Sequence, residues 1–281
     1  MSENKFKRFF RILKELVIPF RTDKWEVKQT SGLSVMSLNL RGDKEKDGVN
    51  SWINRRDSIV KMIKDKSPDI ICCQETMTHM AKFLKRKIGY NYDCFGIDTF
   101  IGLRFDKTVI PTMGNIVFIK KSKYNIDEKD VFWLSDKPNY PSKTWGNSEP
   151  RNCIVVRISD INNGKTYSIF ATHFDHISKE ARNKSCELLI SKSLAYNSNQ
   201  IFFVGDFNAK ISGTDLINFN NYNYFPKHDM VKSTFNGFTG NKTSICDYII
   251  TNDNLTKYKF ELITDGYGVP FLSDHYPILL H

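Results

Sequence analysis

The sequence predicts an α+β fold in which two β-sheets pack together with helices outside them. Three observations carry this. Eight short apolar runs rich in Ile, Val and Phe read as strands: 33–39, 69–74, 115–120, 153–159, 166–172, 200–205, 246–251 and 257–263. Helical stretches, 51–66, 76–88 and 178–196, fall irregularly among them, unlike the alternation of a βαβ array. The chain has 281 residues, 40% of them hydrophobic, which is enough to bury a sizeable core. Its mean hydropathy of −0.41 and its 13% aromatic content exclude both a membrane-embedded and a disordered chain. The longest apolar runs, such as Leu16–Phe20, fall far short of the ~18 residues that span a bilayer.

Taken in order, the N-terminus stands apart. Phe9, Phe10, Ile12, Leu13, Leu16, Val17 and Phe20 recur at helical spacing, Lys7, Arg8, Arg11 and Lys14 fill the gaps, and Pro19 ends the pattern. We therefore expect residues 1–30 to form a basic amphipathic extension and residues 31–281 a single domain. Such a helix can lie on an anionic membrane, giving peripheral contact through residues 5–20; the alternative is a helix packed on the domain or a loose tail. It lacks the h-region and cleavage site of a signal peptide. The six cysteines, 72, 73, 94, 153, 186 and 246, form no C-x-x-C pair or spaced framework. A reducing, cytoplasmic setting is the expectation. Ser178 reads as the N-cap of the last helix, and the Pro-, Gly-, Asn- and Ser-rich stretches 135–150 and 233–244 as long loops.

The informative residues sit where strands end. Asn39 follows the first strand, Gln74-Glu75 the second, and His173, Asp175 and His176 end or follow the run at 166–172. Asp206 and Asn208 follow the run at 200–205, Asp274-His275 stand near the C-terminus, and Asp247 lies inside an apolar run. Singly, each is an ordinary turn, cap or structural residue. Jointly, they are side chains that one edge of a sandwich can bring together. Carboxylates with an amide make an all-oxygen site for a hard cation such as Mg²⁺, which keeps waters and completes its shell with phosphate oxygens. Glu75 is the first ligand choice. The histidines lack zinc-ligand spacing and suit proton handling or charge stabilisation. Cation, water-orienting carboxylate and charge-stabilising histidine together describe phosphoester hydrolysis.

These segments, from about Val35 to the C-terminus, resemble the endonuclease/exonuclease/phosphatase superfamily. The resemblance is carried by Asn39, Gln74-Glu75, Thr172-His173, Gly205-Asp206-Phe-Asn208, Asp247-Tyr248 and Ser273-Asp274-His275. Phe132-Trp-Leu-Ser, Glu149-Pro-Arg151, Thr172-His-Phe-Asp-His176 and Thr234-Phe-Asn-Gly-Phe238 are similar to a bacterial branch of it. The resemblance implies a DNase I-like, four-layer α/β/β/α sandwich, with two mixed β-sheets packed face to face. It implies that Glu75 binds Mg²⁺, for which Mn²⁺ would substitute, with Asn39 beside it and Asp274 assisting the metal or its waters. Asp206 would orient or deprotonate the attacking water, and Asn208 would hold phosphate and water. His275 would stabilise the phosphorane or act as general acid/base, with Asp247 fixing its tautomer. His173 would donate to a nonbridging oxygen, Arg151 would clamp phosphate, and His176 would meet the leaving group or else belong to a structural loop pair with Asp175. Two positions depart from the pattern: Arg41 stands where some nuclease branches carry an acid, and His173 where AP endonucleases carry Asn.

Lys+Arg number 41 against 31 Asp+Glu, a net charge of +10 that favours an anionic partner, nucleic acid first. Lys-, Asn- and Ile-rich drift accounts for part of that charge. Trp133, Tyr140 and Trp145 would stack bases or simply pack their loop. A sphingomyelinase-like phospholipid diesterase and a small-molecule phosphatase are the alternatives, and a non-catalytic binding module is opposed by the completeness of the polar set.

Overall fold

Strand period assigns the core side chains to layers. The computed structural model describes residues 10, 12, 13, 22–28, 32–96 and 113–281. Along β1 (Val35–Asn39), Val35 enters one apolar cluster and Met36 and Leu38 enter another. Along β2 (Ile70–Thr76), Ile70 and Cys72 face the first cluster and Ile71 and Cys73 the second. Strands buried on both faces belong to the interior of a layered fold.

The first sheet adds β3 (Tyr92–Phe95), β4 (Gly114–Lys120), β11 (Phe260–Leu262) and β12 (Ile278–Leu280), in the order β11-β12-β1-β2-β4-β3. The second contains β5 (Tyr124–Trp133), β6 (Asn152–Asp160), β7 (Thr166–His173), β8 (Gln200–Asp206), β9 (Asn223–Phe225) and β10 (Asp247–Thr251), in the order β5-β6-β7-β8-β10-β9. Both sheets are mixed: β1–β2 and β7–β8 are parallel, the other pairs antiparallel. A parallel pair needs a crossover. Helix α1 (Trp52–Lys66) supplies the first and α3 (Lys179–Ser193) the second, while α2 (Thr78–Ile88) follows β2. Ser178 caps α3, its hydroxyl accepting the Ala181 N–H at 3.1 Å.

Three apolar layers hold these elements together. Val35, Ile70 and Val117 meet Ile154, Ile169 and Phe202 between the sheets. Trp52, Ile59, Met80 and Phe83 cover the outer face of the first sheet. Ala181, Cys186 and Leu189 cover that of the second. The architecture is the expected α/β/β/α sandwich.

The strands β3, β5, β9 and β12 go beyond the apolar runs read from sequence. Asp247 is the first residue of β10 and not an interior one. Of the extension, residues 22–28 lie against the domain: Trp25 and Val27 pack on the layer beneath α1 and α2, and Asn91 Nδ2 donates to the Trp25 carbonyl at 2.8 Å. The amphipathic helix expected over residues 5–20 lies almost wholly outside the described residues. Among these, no helix is long and apolar enough to cross a membrane.

Register sets the location of the polar residues. Asn39 pairs with Gln74 across β1–β2, and His173 with Asp206 across β7–β8. Because β10 is antiparallel to β8, its first residue, Asp247, stands opposite Asp206. Because β12 is antiparallel to β1, the segment before it, with Asp274 and His275, returns to the same edge.

Candidate active site

The chain turns sharply at this edge. Arg41 (φ 55°), Glu75 (φ 50°) and Asn208 (φ 51°) all adopt left-handed backbone, a costly state for non-glycine residues that concentrates at functional sites. At Glu75 the cause is visible: the β2–β4 register shifts between Cys73 and Thr76, which turns the side chain out of the ladder.

Asp206 is the hub. Asn39 Nδ2 donates to its Oδ2 at 3.1 Å, and the same oxygen lies 3.5 Å from His173 Nε2 and 3.7 Å from His275 Nε2. Its other oxygen accepts the Asn208 N–H at 2.9 Å. Burial and the charge of Asp247 lift the Asp206 carboxyl to about 7, although His275 and the Asn208 N–H oppose them. His275 Nδ1 donates to Asp247 Oδ2 at 2.8 Å. Burial disfavours the imidazolium, but Asp247 and Asp206 outweigh it and hold His275 well above the ordinary histidine value.

Glu75 forms the opposite wall. Its Oε2 accepts the Gly42 N–H at 3.1 Å, Lys44 Nζ stands 3.9 Å away, and Asn39 Nδ2 lies 3.4 Å from Oε1. Burial raises this carboxyl, yet the Gly42 N–H, Lys44, His275 and Arg41 together bring it below the usual glutamate value. Asn39 Oδ1 accepts the Arg41 N–H at 2.9 Å, which fixes its amide with the nitrogen towards both carboxylates. Arg41 also pairs with Asp274 at 3.0 Å and with Asp47 through two hydrogen bonds.

Arg151 forms a third wall. Its NH1 lies 3.1 Å from His173 Nδ1 and its NH2 3.2 Å from His176 Nδ1. A guanidinium only donates, so His176 Nδ1 accepts, while His173 meets a donor at each ring nitrogen, Arg151 at Nδ1 and the Asn208 amide at Nε2. Burial, Arg151 and His275 push His173 well below the ordinary histidine value, which keeps it neutral. Asn208 Nδ2 lies 2.9 Å from His173 Nε2 and donates to the Phe174 carbonyl at 2.9 Å. Asp175 is a brace: it accepts from Ser148 N and Oγ and from the Ile177 and Ser178 N–H groups, which bring it down to about 2 against the effect of burial. His176 is exposed at the rim.

Among the described residues, two groups could hold a metal. Ligand atoms of Asp206, Cys246 and His275 lie within 4.8 Å of one another. Burial raises the Cys246 thiol well above its usual value, and His275 Nδ1 is engaged by Asp247, which leaves Nε2 as the ring's open ligand atom. Glu75, with Asp274 nearby, offers carboxylate oxygens and is itself held in its charged form, whereas Asn39, expected as a ligand, turns its amide nitrogen and not its oxygen to Glu75. This donor chemistry fits a hard divalent cation.

The structure thus gathers Asn39, Glu75, Asp206, Asn208, Asp247, His173, Asp274 and His275 at one edge, with Arg151 beside them and His176 at the rim. Of the two readings open for the tryptophans, base stacking or loop packing, the structure shows packing. Trp133 and Trp145 are each 6% exposed, and Trp145 Nε1 donates to Asp136, so of the three rings Tyr140 alone is open. Arg41 was legible only as a departure from the pattern. Gly42 and Lys44 beside Glu75, and Arg55 beneath this edge, carried no sequence signal.

A profile of the endonuclease/exonuclease/phosphatase family matches residues 36–275. An uncharacterised protein of Acanthamoeba polyphaga mimivirus, L388, is 28% identical over 283 residues, covering 88% of this chain and 99% of the relative. A mannosyl-6-phosphatase of Bacteroides thetaiotaomicron superposes with a TM-score of 0.75 at 26% identity, over 89% of this chain and 99% of that one. An endonuclease/exonuclease/phosphatase of Bacteroides vulgatus superposes with a TM-score of 0.76 at 24% identity, over 88% of this chain and 97% of that one.

Proposed function

The chain belongs to the endonuclease/exonuclease/phosphatase family of phosphoester hydrolases, and on that premise we propose that it hydrolyses a phosphodiester bond in nucleic acid with the help of Mg²⁺. The observation that carries this reading is the environment of Asp206 Oδ2, met by Asn39, His173 and His275 from three other chain segments. Glu75 would hold the cation, with Asp274 and Asn39 beside it. When bound, the cation neutralises charge on the phosphoryl group. Asp206 orients the attacking water and takes its proton, a task suited to a carboxyl lifted towards neutrality. His275, kept protonated between two acids, stabilises the negative charge that develops on phosphorus-bound oxygen, and Asp247 holds its ring. His173 donates a ring N–H, Asn208 its amide and Arg151 its guanidinium to the phosphate oxygens. His176 meets the leaving group from the rim.

The net charge of +10 supports a nucleic-acid substrate. A second reading, a small phosphorylated substrate, is favoured by the likeness to a mannosyl-6-phosphatase and by the burial of Trp133 and Trp145. The test is a substrate panel with Mg²⁺: single-stranded RNA and DNA, mannose 6-phosphate, sphingomyelin and bis(p-nitrophenyl) phosphate. Turnover of the polynucleotides with kcat/KM well above the others is expected. Preference for the monoester would replace the first reading with the second.

A further inference from the structure

The second sheet continues past Asp206 to β10 and then β9. Because β10 is antiparallel to both β8 and β9, the end of β8, the start of β10 and the end of β9 share one edge. Lys210 follows β8, Ile245 precedes β10, and His228, Val231 and Lys232 follow β9. With Thr243 these residues line a cavity of about 270 Å³. Two lysines and a histidine converge on it, and no carboxylate stands among the described residues that line it. Among the described residues, no ion pair holds Lys210 or Lys232, whereas Lys184 and Lys257 each pair with an acid one helical turn away. Uncompensated positive charge around a concavity is what an anion site requires.

We propose that the cavity lined by Lys210, His228 and Lys232 is a second phosphate subsite, taking a neighbouring backbone phosphate of the strand whose scissile phosphate lies at Asp206 and Asn208. This rests on the phosphoester-hydrolase reading of the edge and deepens it. β8 and β9 are two strand spacings apart, about 10 Å. A sugar monophosphate, with one phosphate, leaves the cavity unused. A single strand fills it and gains affinity without requiring a base-stacking platform at Trp133 or Trp145.

The experiment is fluorescence anisotropy with a labelled all-phosphorothioate hexathymidylate, which resists hydrolysis, in Mg²⁺ across a salt series. Wild type is compared with Lys210→Glu/Lys232→Glu, exposed positions whose thermal melting serves as the folding control. We expect the double variant to bind at least tenfold more weakly. Its plot of log affinity against log salt should be shallower by about 1.4, the loss of two contacts at roughly 0.7 each on single strands. Equal affinity and equal slope in the two proteins, or no binding by wild type, would overturn the subsite. Wild-type turnover of bis(p-nitrophenyl) phosphate, a diester too short to reach the cavity, tests the hydrolase reading separately.

Discussion

His275 Nδ1 lies 2.8 Å from Asp247 Oδ2 while its Nε2 faces Asp206 Oδ2 at 3.7 Å, so one imidazole ring is suspended between two buried acids. Asp247 is the larger of the two influences that keep the ring protonated. Asp247→Asn therefore lowers the His275 pKa, and the imidazolium is lost at lower pH. The alkaline limb of the pH–rate profile should move to lower pH, with the neutral-pH rate down by roughly 10²-fold or more. Stability moves with it: the folded His275 holds its proton to higher pH than the unfolded chain, so its contribution is complete below about 6.5 and disappears as pH rises through the folded value. Histidine NMR titration and denaturation across pH check both effects.

Asp206→Asn removes the proposed proton acceptor but leaves a side chain of the same shape. It also relieves the burial of a charge beside Asp247. We expect kcat to fall roughly 10²–10⁴-fold, the scale of lost general-base help, with no loss of thermal stability. Single-turnover kinetics together with thermal melting separate the two effects.

Gly205 is fixed by a close approach. Its φ is 151°, and a Cβ there would lie 1.9 Å from the Thr172 carbonyl of the paired strand. Gly205→Ala must push β7 away from β8 just where His173 faces Asp206. A cost of about 1–3 kcal/mol is expected from overpacking, read by urea denaturation, with at least a tenfold loss of kcat. Unchanged stability would show that the strands yield without strain.

Arg55 ties two halves of the site from below. Its guanidinium donates to the carbonyls of Asn50 at 2.6 Å, Leu40 at 3.1 Å, Leu272 at 2.5 Å and Arg41 at 3.2 Å. The loop that carries Gly42 to Glu75 is thereby joined to the segment that carries Asp274 and His275. Arg55→Met strands these carbonyls and should cost about 3–5 kcal/mol, the scale of stripping a partner from a buried charged network. Arg55→Lys keeps the charge without the planar fork and should fall between. Urea denaturation gives the cost, and Mg²⁺ titration calorimetry of the lysine variant reads the positioning separately from the fold.

The layers were legible because alternation along strands such as Val35–Asn39 and Ile70–Thr76 is a local property. Edge elements were not. β5 carries Asp127, Glu128, Lys129 and Asp130 in its middle, an edge strand's charged face that reads as loop. β12 is three residues long and follows Pro277, too short for a periodicity. The polar residues at strand ends could be read because acids, amides and histidines after apolar runs are unusual. Their supports could not: the contact of Arg55 with Leu272 spans 217 positions, and a backbone carbonyl leaves no mark on residue type. The burial of Trp133 and Trp145 was equally hidden, since an aromatic loop residue looks the same packed or open.

Glu75, across from Asp206 and His275, is the proposed holder of a divalent cation needed for phosphoester cleavage. The most direct test of that role follows bis(p-nitrophenyl) phosphate turnover through chelation and refilling, with titration calorimetry of Mg²⁺ on wild type and Glu75→Gln. EDTA is expected to abolish turnover, Mg²⁺ or Mn²⁺ to restore it, and Glu75→Gln to weaken Mg²⁺ binding by at least tenfold. Full turnover in excess chelator, or undiminished Mg²⁺ affinity in the glutamine variant, would contradict that role.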